Sequence, residues 1–553
     1  MRRFKTLVLR FILLIGFWIG FSSHVGSPGV IYEGMLGPYR IMANVNPPDV
    51  IPGIALVTVI LPENPADVSL EAKPVYWSAG LIGTPVSDPL LPVAGEVGKY
   101  ELELWFMGAG ASSVQLILNR GTEVFETTIP VMALPTAQKD MPLNLGLILS
   151  GLGLFLVILM VTIIASAMSD SLRSPGVAKK TDGNGRKTKG IIIGTVCMLL
   201  ILWGGKTWWD SEAESYLRNI YKPIAGNTQV EFTPEGNFLD LTIDKEQLQW
   251  GRTVRKMSYI VPDHGKLMHL FLIRKGDLDV FAHLHPQRVD SLHFRSLLPD
   301  LPAGDYHVFA DFTRFTGFSE TIVSEFTLPE KTTFQLISDP KMSLGRDDSF
   351  LISSKTSSQP ATNLLDADFL LCGKPGMRID LAGGYGAMWQ SDTEDYQAGK
   401  LYSLDFELFD PEGNPANLEP YLGMMGHAVA MKFDGSVYIH LHPTGNYSMG
   451  SQEMLLERFA SGKTGFGQLP AGMTFMDSVD QVISWMEDLP LQVRDSLLMG
   501  NDMHRMPDNP KHEGHQMVSF PYAFPESGDY RIWIQVKIDG EILNGAFDVT
   551  VAD

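Results

Sequence analysis

Cysteine is nearly absent from this chain, with two in 553 residues, Cys197 and Cys372. The first lies in an apolar segment and the second in a distant domain. That excludes a disulfide framework, and with it Cys-ligated zinc and iron–sulfur sites. Positive charge is also short, with 43 Lys and Arg against 63 Asp and Glu and a net charge of −20. Phosphate backbones need a basic surface, so nucleic acid is not an expected partner. The chain has no Gly-x-Ser-x-Gly, Walker loop, His-Glu-x-x-His or glycine-rich dinucleotide loop. Neither a nucleotide nor an enzymatic activity is therefore expected. A metal enzyme would need a general base beside the metal, and the sequence places none. The two long apolar runs, Leu143–Ala167 and Ile191–Trp203, carry no Asp, Glu, Lys, Arg or His. A transport pathway usually needs such groups, so a transporter is not expected either.

What is present reads as a mainly β chain: several exported Ig-like β-sandwich domains flanking two transmembrane α-helices. Residues 1–23 have a positive start, Arg2, Arg3 and Lys5, then a short apolar core, and are expected to be a signal peptide or N-terminal anchor. Residues 27–138 alternate apolar and polar between Pro and Gly punctuation, which predicts an Ig-like sandwich. Residues 143–168 and 190–206 are predicted spans around a basic loop, 169–190, which contains Arg173, Lys179, Lys180, Arg186, Lys187 and Lys189. The positive-inside rule puts that loop in the cytoplasm and both large flanking parts on the outer side of the membrane. Trp203, Trp208 and Trp209 fit an aromatic belt. A short juxtamembrane helix is expected over 210–224, a β-sandwich over 226–330, a bridging region over 331–400 and a second sandwich over 401–553. The last contains a 444–517 insertion with helical pattern at Gln452–Phe459 and Asp477–Leu489.

The two later sandwiches share a word. His283-Leu-His285-Pro286 recurs as His440-Leu-His442-Pro443, 157 residues on. Each copy is preceded by one more histidine, His269 or His427, and followed by Gly-Asp-Tyr, at Gly304–Tyr306 and Gly528–Tyr530. Such an internal repeat is one structural module used twice. On a strand, residues i and i+2 share a face, so each His-x-His pair points one way. In the second copy an Asp434-Gly435 turn would pair Phe433 with Ser436 and set His427 opposite His442. In the first, a Lys275-Gly276-Asp277 loop would pair Arg274 with Leu278 and set His269 opposite His283. Either register brings three imidazoles to one face, because a shift of one residue would be needed to send one of them away.

Two metal sites are therefore expected, His269, His283 and His285 in one and His427, His440 and His442 in the other. Copper is the first expectation and zinc the alternative, since imidazole suits both. His264, Met268, Met424 and Met425 are candidate extra ligands. A weaker soft-donor tract follows at Met503, His504, Met506, His512, His515 and Met517. The competing reading is that the His-x-His pairs merely stabilise a sheet and that the Met/His tract is a loop. His293 and His307 lack counterparts and read as structural. Asp305, Asp529, Tyr306 and Tyr530 read as turn residues, the tyrosines as anchors.

At these residues the chain resembles a known group. His269-Leu-Phe-Leu-Ile, Phe281-Ala-His-Leu-His-Pro, Pro302-Ala-Gly-Asp-Tyr and Phe309-Ala-Asp-Phe resemble exported YtkA-like sandwich modules, loosely akin to copper-associated CopC-like ones. Gly426-His-Ala-Val, His440-Leu-His-Pro, Ser519-Phe-Pro-Tyr-Ala-Phe-Pro and Gly528-Asp-Tyr-Arg look like a second such module. With His24-Val-Gly-Ser-Pro and Trp203-Gly-Gly-Lys-Thr-Trp-Trp-Asp, the whole is similar to bacterial two-span membrane proteins bearing these modules. CopC-like sites use an N-terminal histidine. His24 would supply one only if cleavage followed Ser23, where Phe21 departs from the usual cleavage pattern. The group brings no established activity. The repeated histidines, with its suggested link to metal, lead to the expectation of a membrane-tethered exported metal-binding protein for capture, buffering or delivery. The alternative expectation is an envelope scaffold with a protein partner and no metal.

Overall fold

The computed structural model describes residues 24–25, 29–65, 67–169, 183–234, 236–251, 253–330, 344–353, 369–370, 372–391, 393, 395–461, 469–499 and 516–553. The predicted signal, most of the basic loop, and Met503, His504, Met506, His512 and His515 lie outside the described residues. The chain divides into two compact units. One is mainly β and comprises residues through Leu134, Pro223–Gln249 and Val254–Asp553; the other is Pro135–Lys222 with Trp250–Thr253.

The smaller unit is a pair of long helices, α1 (Leu143–Ser169) and α2 (Gly183–Asn219). Both are long and apolar enough to cross a membrane, with mean hydropathy of 2.9 and 1.7 over their most apolar stretches. Their leucines and isoleucines are exposed rather than packed inside protein. The second span and the expected juxtamembrane helix are one continuous helix, because nothing between Trp203 and Asn219 breaks it: Gly204 and Gly205 lower helix propensity but remove no hydrogen bond. Gly190 lets the two helices touch, since a Cβ there would lie 2.8 Å from Ala165 Cα.

The β unit begins with a sandwich over 29–134. Tyr39–Asn46 alternates strictly between buried and half-buried residues, as a strand with one core face must. A five-stranded sheet, in the order Val30–Leu36, Tyr39–Asn46, Gly53–Ile60, Lys99–Phe106, Leu91–Pro92, covers a four-stranded one built from Glu123–Ala133, Gly110–Arg120, Val68–Tyr76 and Asp88–Pro89. Its core also takes in Met424, Tyr447 and Met449 from the far end of the chain. Tyr32 stacks on Tyr447 at 5.9 Å, and the Glu33 N–H donates to Thr444 O at 2.7 Å.

Each histidine module is a sandwich with the histidines on one sheet. In the first, that sheet contains Ser319–Leu328, Gly304–Arg314, His269–Arg274, Val280–Leu284 and Ser349–Ser353 in this order. In the second it contains Val437–Leu441, His427–Lys432, Gly528–Ile538 and Glu541–Ala552, with His24–Val25 pairing in parallel on its edge. Part of the predicted bridging region belongs to these sandwiches. Ser349–Ser353 pairs with Val280–Leu284, and Arg378–Asp380 and Gly386–Gln390 join Leu401–Phe409 and Met517–Ala523 in the second module's other sheet. Among its described residues the insertion forms α3 (Met449–Ala460), α4 (Gly472–Asp488) and α5 (Leu491–Met499).

The histidine-bearing strands are buried on both faces. His269–Ile273, Val280–Leu284, His427–Met431 and Val437–Leu441 contain no exposed residue. Double burial is why these strands read as near-continuous apolar runs. One face packs into its own sandwich; the other packs against the partner module. Between the modules lie Phe271, Ile273, Phe281, Phe309, Val429, Met431, Tyr438 and Trp533. Phe281 stacks on Trp533 at 5.1 Å and Tyr438 on Phe309 at 3.9 Å. Counting from His283 and His440, Phe281 and Tyr438 are equivalent; counting from Gly304 and Gly528, so are Phe309 and Trp533. The two stacks are thus one contact made twice, as in an isologous dimer. Trp533 is fully buried there. Replacing it with Ala is expected to cost about 3–5 kcal/mol, read as a lowered denaturant midpoint. A change below about 1 kcal/mol would show that the modules do not rely on this packing.

Candidate metal centre

The site is built from two hairpins and the turns that enter them. In the second module Val429 pairs with His440 and Ala428 with Leu441, the register that sets His427 against His442. In the first module the pairing is Phe271 with His283 and Leu270 with Leu284, so His269 stands opposite His285 and not His283. The loop is longer than expected because Asp279 turns away. It takes the Arg274 guanidinium in a two-point ion pair, and Leu278 sits at positive φ. The register is shifted by two residues, so the face is unchanged, and both hairpins have the same geometry.

All six expected histidines lie at the junction of the modules, together with a seventh. His264 sits in the tight turn Asp263–Lys266, whose two ends exchange backbone hydrogen bonds at 2.8 and 2.9 Å. His264 and Gly265 have φ of 51° and 76°, the left-handed pair such a turn requires. The second module has the same turn at Tyr421–Met424, with Leu422 and Gly423 at φ of 51° and 79°. His264 and Leu422 each precede the first strand histidine by five residues.

Two groups form in which three imidazoles each offer a ring nitrogen, all within 4.8 Å of one another. One is His269, His283 and His285. The other is His264, His427 and His442. His440 lies between them, its ring 4.4 Å from His442, 5.5 Å from His427, 5.6 Å from His269 and 5.9 Å from His283. The second group is thus completed from the first module. Among the expected extra ligands, Met268 packs in the first module's core and Met424 in the core of the N-terminal sandwich. Met517, the described member of the weaker tract, opens a strand in the sheet of the second module that bears no histidine.

The outer nitrogens are held by the protein. His285 Nδ1 lies 2.8 Å from Asp348 Oδ1, and His442 Nδ1 donates to Tyr447 O at 3.0 Å. His283 Nδ1 donates to Gln535 Oε1 at 2.8 Å; the Gln535 amide nitrogen is turned to Asn544 Oδ1 and Ser349 Oγ. His440 Nδ1 lies 3.5 Å from Asp311 Oδ2, and Asp311 is equivalent to Gln535 by the Gly-Asp-Tyr count. A carbonyl or carboxylate oxygen on Nδ1 fixes the proton there and leaves the Nε2 lone pair facing the cluster. His269 has one proton and two neighbours, Asp263 O at 3.2 Å and His283 Nε2 at 3.1 Å. As a neutral ring it can donate to only one of them. Both nitrogens of His427, and Nε2 of His264, His285, His440 and His442, have no hydrogen-bond partner within the protein; His264 Nε2 lies 3.4 Å from Asp263 Oδ1 without the geometry of a hydrogen bond.

Six of the seven histidines are kept uncharged. Burial pushes His269 down to about 4 and His442 to about 3. Burial, then the neighbouring imidazoles, pushes His283, His427 and His440 well below the ordinary histidine range, and burial does the same to His285. Burial also raises Asp311 and Asp348 to about 6. Beside Asp348 lies a buried ionic set. Asp347 accepts two hydrogen bonds from Arg494 at 2.7 and 2.6 Å and pairs with Lys266 at 2.8 Å. Burial opposes its ionisation, but the Arg494 and Lys266 cations outweigh that and hold it well below the carboxylate range.

His264, Asp311, Asp348, Gln535 and Arg494 were not predicted as site residues, except that His264 was a candidate extra ligand for the other group. The aligned His264-Gly265 and Leu422-Gly423 turns were the one available signal. Asp348, Asp311 and Gln535 come from segments 63, 129 and 252 residues away in sequence from the histidines they face. The residues read as structural have ordinary partners: His293 on Asp240 at 2.6 Å, and the Tyr306 and Tyr530 hydroxyls donating to Pro302 O and Glu526 O at 2.6 and 2.8 Å.

A family described as "Domain of unknown function (DUF8832)" matches residues 381–464 and 498–553, less than half of the chain. No curated protein matches. Among solved structures, a tetra-tandem repeat from the extending region of a large adhesion protein is similar at 7% identity and a TM-score of 0.14, covering 91% of this chain and 71% of that one. Dimeric latent PorU from Porphyromonas gingivalis is similar at 7% and 0.13, covering 91% and 32%. The BSP domain of a biofilm associated protein is similar at 8% and 0.12, covering 95% and 96%. At these scores the likeness carries no argument about fold or function.

Proposed function

We propose that the chain is a membrane-tethered, exported metal-binding protein that captures, buffers or delivers copper in a bacterial envelope. The two apolar helices would span the inner membrane, with the basic loop inside and both β parts outside. The metal would be held by His269, His283 and His285, and by His427 and His442 with His264 and His440. One observation carries this reading: His283, His285 and His442 turn Nδ1 to protein oxygens, and His264, His427 and His440 carry ring nitrogens with no partner in the protein, so lone pairs converge at the module junction as a metal site requires. An unsatisfied buried polar atom costs about 1–3 kcal/mol, which a sheet-stabilising role would not repay. Copper leads because Cu(II) ranks highest among first-row divalent ions for imidazole donors, and zinc, which imidazole also suits, is the alternative.

The test uses the full chain in detergent, because the N-terminal sandwich shares its core with Tyr447 and Met449 and the histidine modules are not separable from it. Titration with Cu(II), and with Zn(II) in parallel, is expected to show stoichiometric uptake. Uptake should fall in His283→Ala/His285→Ala and in His440→Ala/His442→Ala. Uptake that neither double variant changes would exclude the histidines as ligands. A second reading, an envelope scaffold, draws on Ile54 and Trp105. They are cross-strand partners on the first sandwich and stay 42% and 56% exposed. It predicts a co-purifying envelope protein and no stoichiometric metal.

A further inference from the structure

The two imidazole groups are related by the module repeat but are not alike. We propose that they form an unequal two-metal centre. The group His264, His427 and His442, with His440 beside it, is the tight site and fills first; the group His269, His283 and His285 is the weaker one. The proposal rests on the metal-binding reading and assigns what that reading leaves open.

Three observations carry it. First, the repeat places Leu422 where the other module has His264, in the same turn with the same φ of 51°. Each group has three imidazoles, but His440 lies nearer the His264 group, its ring 4.4 and 5.5 Å from His442 and His427 against 5.6 and 5.9 Å from His269 and His283. A fourth donor is therefore within reach there, while the other group has a leucine at the turn equivalent to that of His264. Four nitrogen donors complete a four-coordinate site, whereas three leave a position open. Second, the groups differ in how many nitrogens are already engaged. His264, His427, His440 and His442 contribute five unpartnered buried nitrogens; His269, His283 and His285 contribute one, His285 Nε2. A metal entering the His269, His283 and His285 group must break the 3.1 Å contact between His269 and His283. A metal entering the His264 group displaces no hydrogen bond of those five nitrogens. Third, the tight group draws ligands from both modules, because His264 comes from the first and the rest from the second. Its metal would therefore clamp the module interface, and binding would require the docked arrangement.

The test is a Cu(II) titration of the full chain in detergent by competition with a chelator of known affinity. The wild type should take up two equivalents, the first at least tenfold tighter than the second. His264→Asn tolerates the left-handed backbone but removes the imidazole, and His264→Leu copies the residue of the equivalent turn. Both should lose the tight phase and keep the weak one. Leu422→His should tighten the second equivalent. Two equal equivalents in the wild type, or a tight phase that survives in both His264 variants, would overturn the inequality while leaving the metal reading intact. No uptake of Cu(II) by the wild type would overturn the metal reading itself.

Discussion

Taking the metal-free chain from about pH 7.5 to about pH 5 is expected to strip most of its stability. Six buried histidines carry the effect. In the unfolded chain an imidazole titrates near about 6.5. In the folded protein His269 titrates at about 4 and His442 at about 3, and His283, His285, His427 and His440 titrate well below their ordinary range. Between those values the unfolded chain binds protons that the folded one refuses, so stability falls as pH falls. Each such proton is worth on the order of 1.4 kcal/mol per pH unit. Asp311 and Asp348, raised to about 6, act in the opposite sense. They gain protons first in the folded state and recover part of the loss between about pH 6 and 4. Two carboxylates cannot offset six imidazoles. Denaturant midpoints measured at half-unit steps should fall steeply below about pH 6.5. Saturating Cu(II) should move the fall to lower pH, because a bound metal excludes the proton. A midpoint flat down to about pH 5 would mean that the imidazoles are already open to water.

Replacing Asp347 with Ala is expected to cost about 3–5 kcal/mol, because it strands two buried cations. Lys266 and Arg494 are 7% and 3% exposed, and both use Asp347 as their closest acid. Each has a fallback, Lys266 on Glu487 at 3.1 Å and Arg494 on Asp495 at 3.2 Å, which sets the lower end of the range. The change reaches the metal centre as well. The Asp347 backbone carbonyl, which the variant keeps, accepts the Tyr421 hydroxyl at 2.8 Å, and the next residue, Asp348, holds His285, so a shift of this segment moves the His285 ring. The variant should therefore lower both the denaturant midpoint and the affinity of the His269, His283 and His285 group. A drop in stability with unchanged metal affinity would separate the ionic set from the site.

Parts of this architecture were legible because they are local. Alternation with period two marked the strands of the N-terminal sandwich, and uninterrupted apolarity marked α1. The Asp434-Gly435 turn gave the second hairpin its register to the residue. The first hairpin was read two residues out, because Lys275-Gly276-Asp277 looks like a complete loop and nothing in the sequence shows that Arg274 will hold Asp279 back from the strand. The face of the histidines survived that error, since side-chain direction depends only on parity.

What the sequence determined by itself is that one hairpin is used twice, that each copy turns three imidazoles to one side, and that two runs, Leu143–Ala167 and Ile191–Trp203, are apolar and uncharged. These follow from periodicity and from a repeated word, and both are properties of neighbouring residues. Only the tertiary structure decided that the two faces meet each other, that His264 crosses from one module to complete the set of the other, and that Leu422 leaves the mirror position without a ligand. It also supplied the carboxylates and the amide that fix the imidazole protons. The reason is physical: those contacts join residues up to 252 positions apart across a packed interface. What selects them is which surfaces can be buried together, and no stretch of sequence carries that by itself.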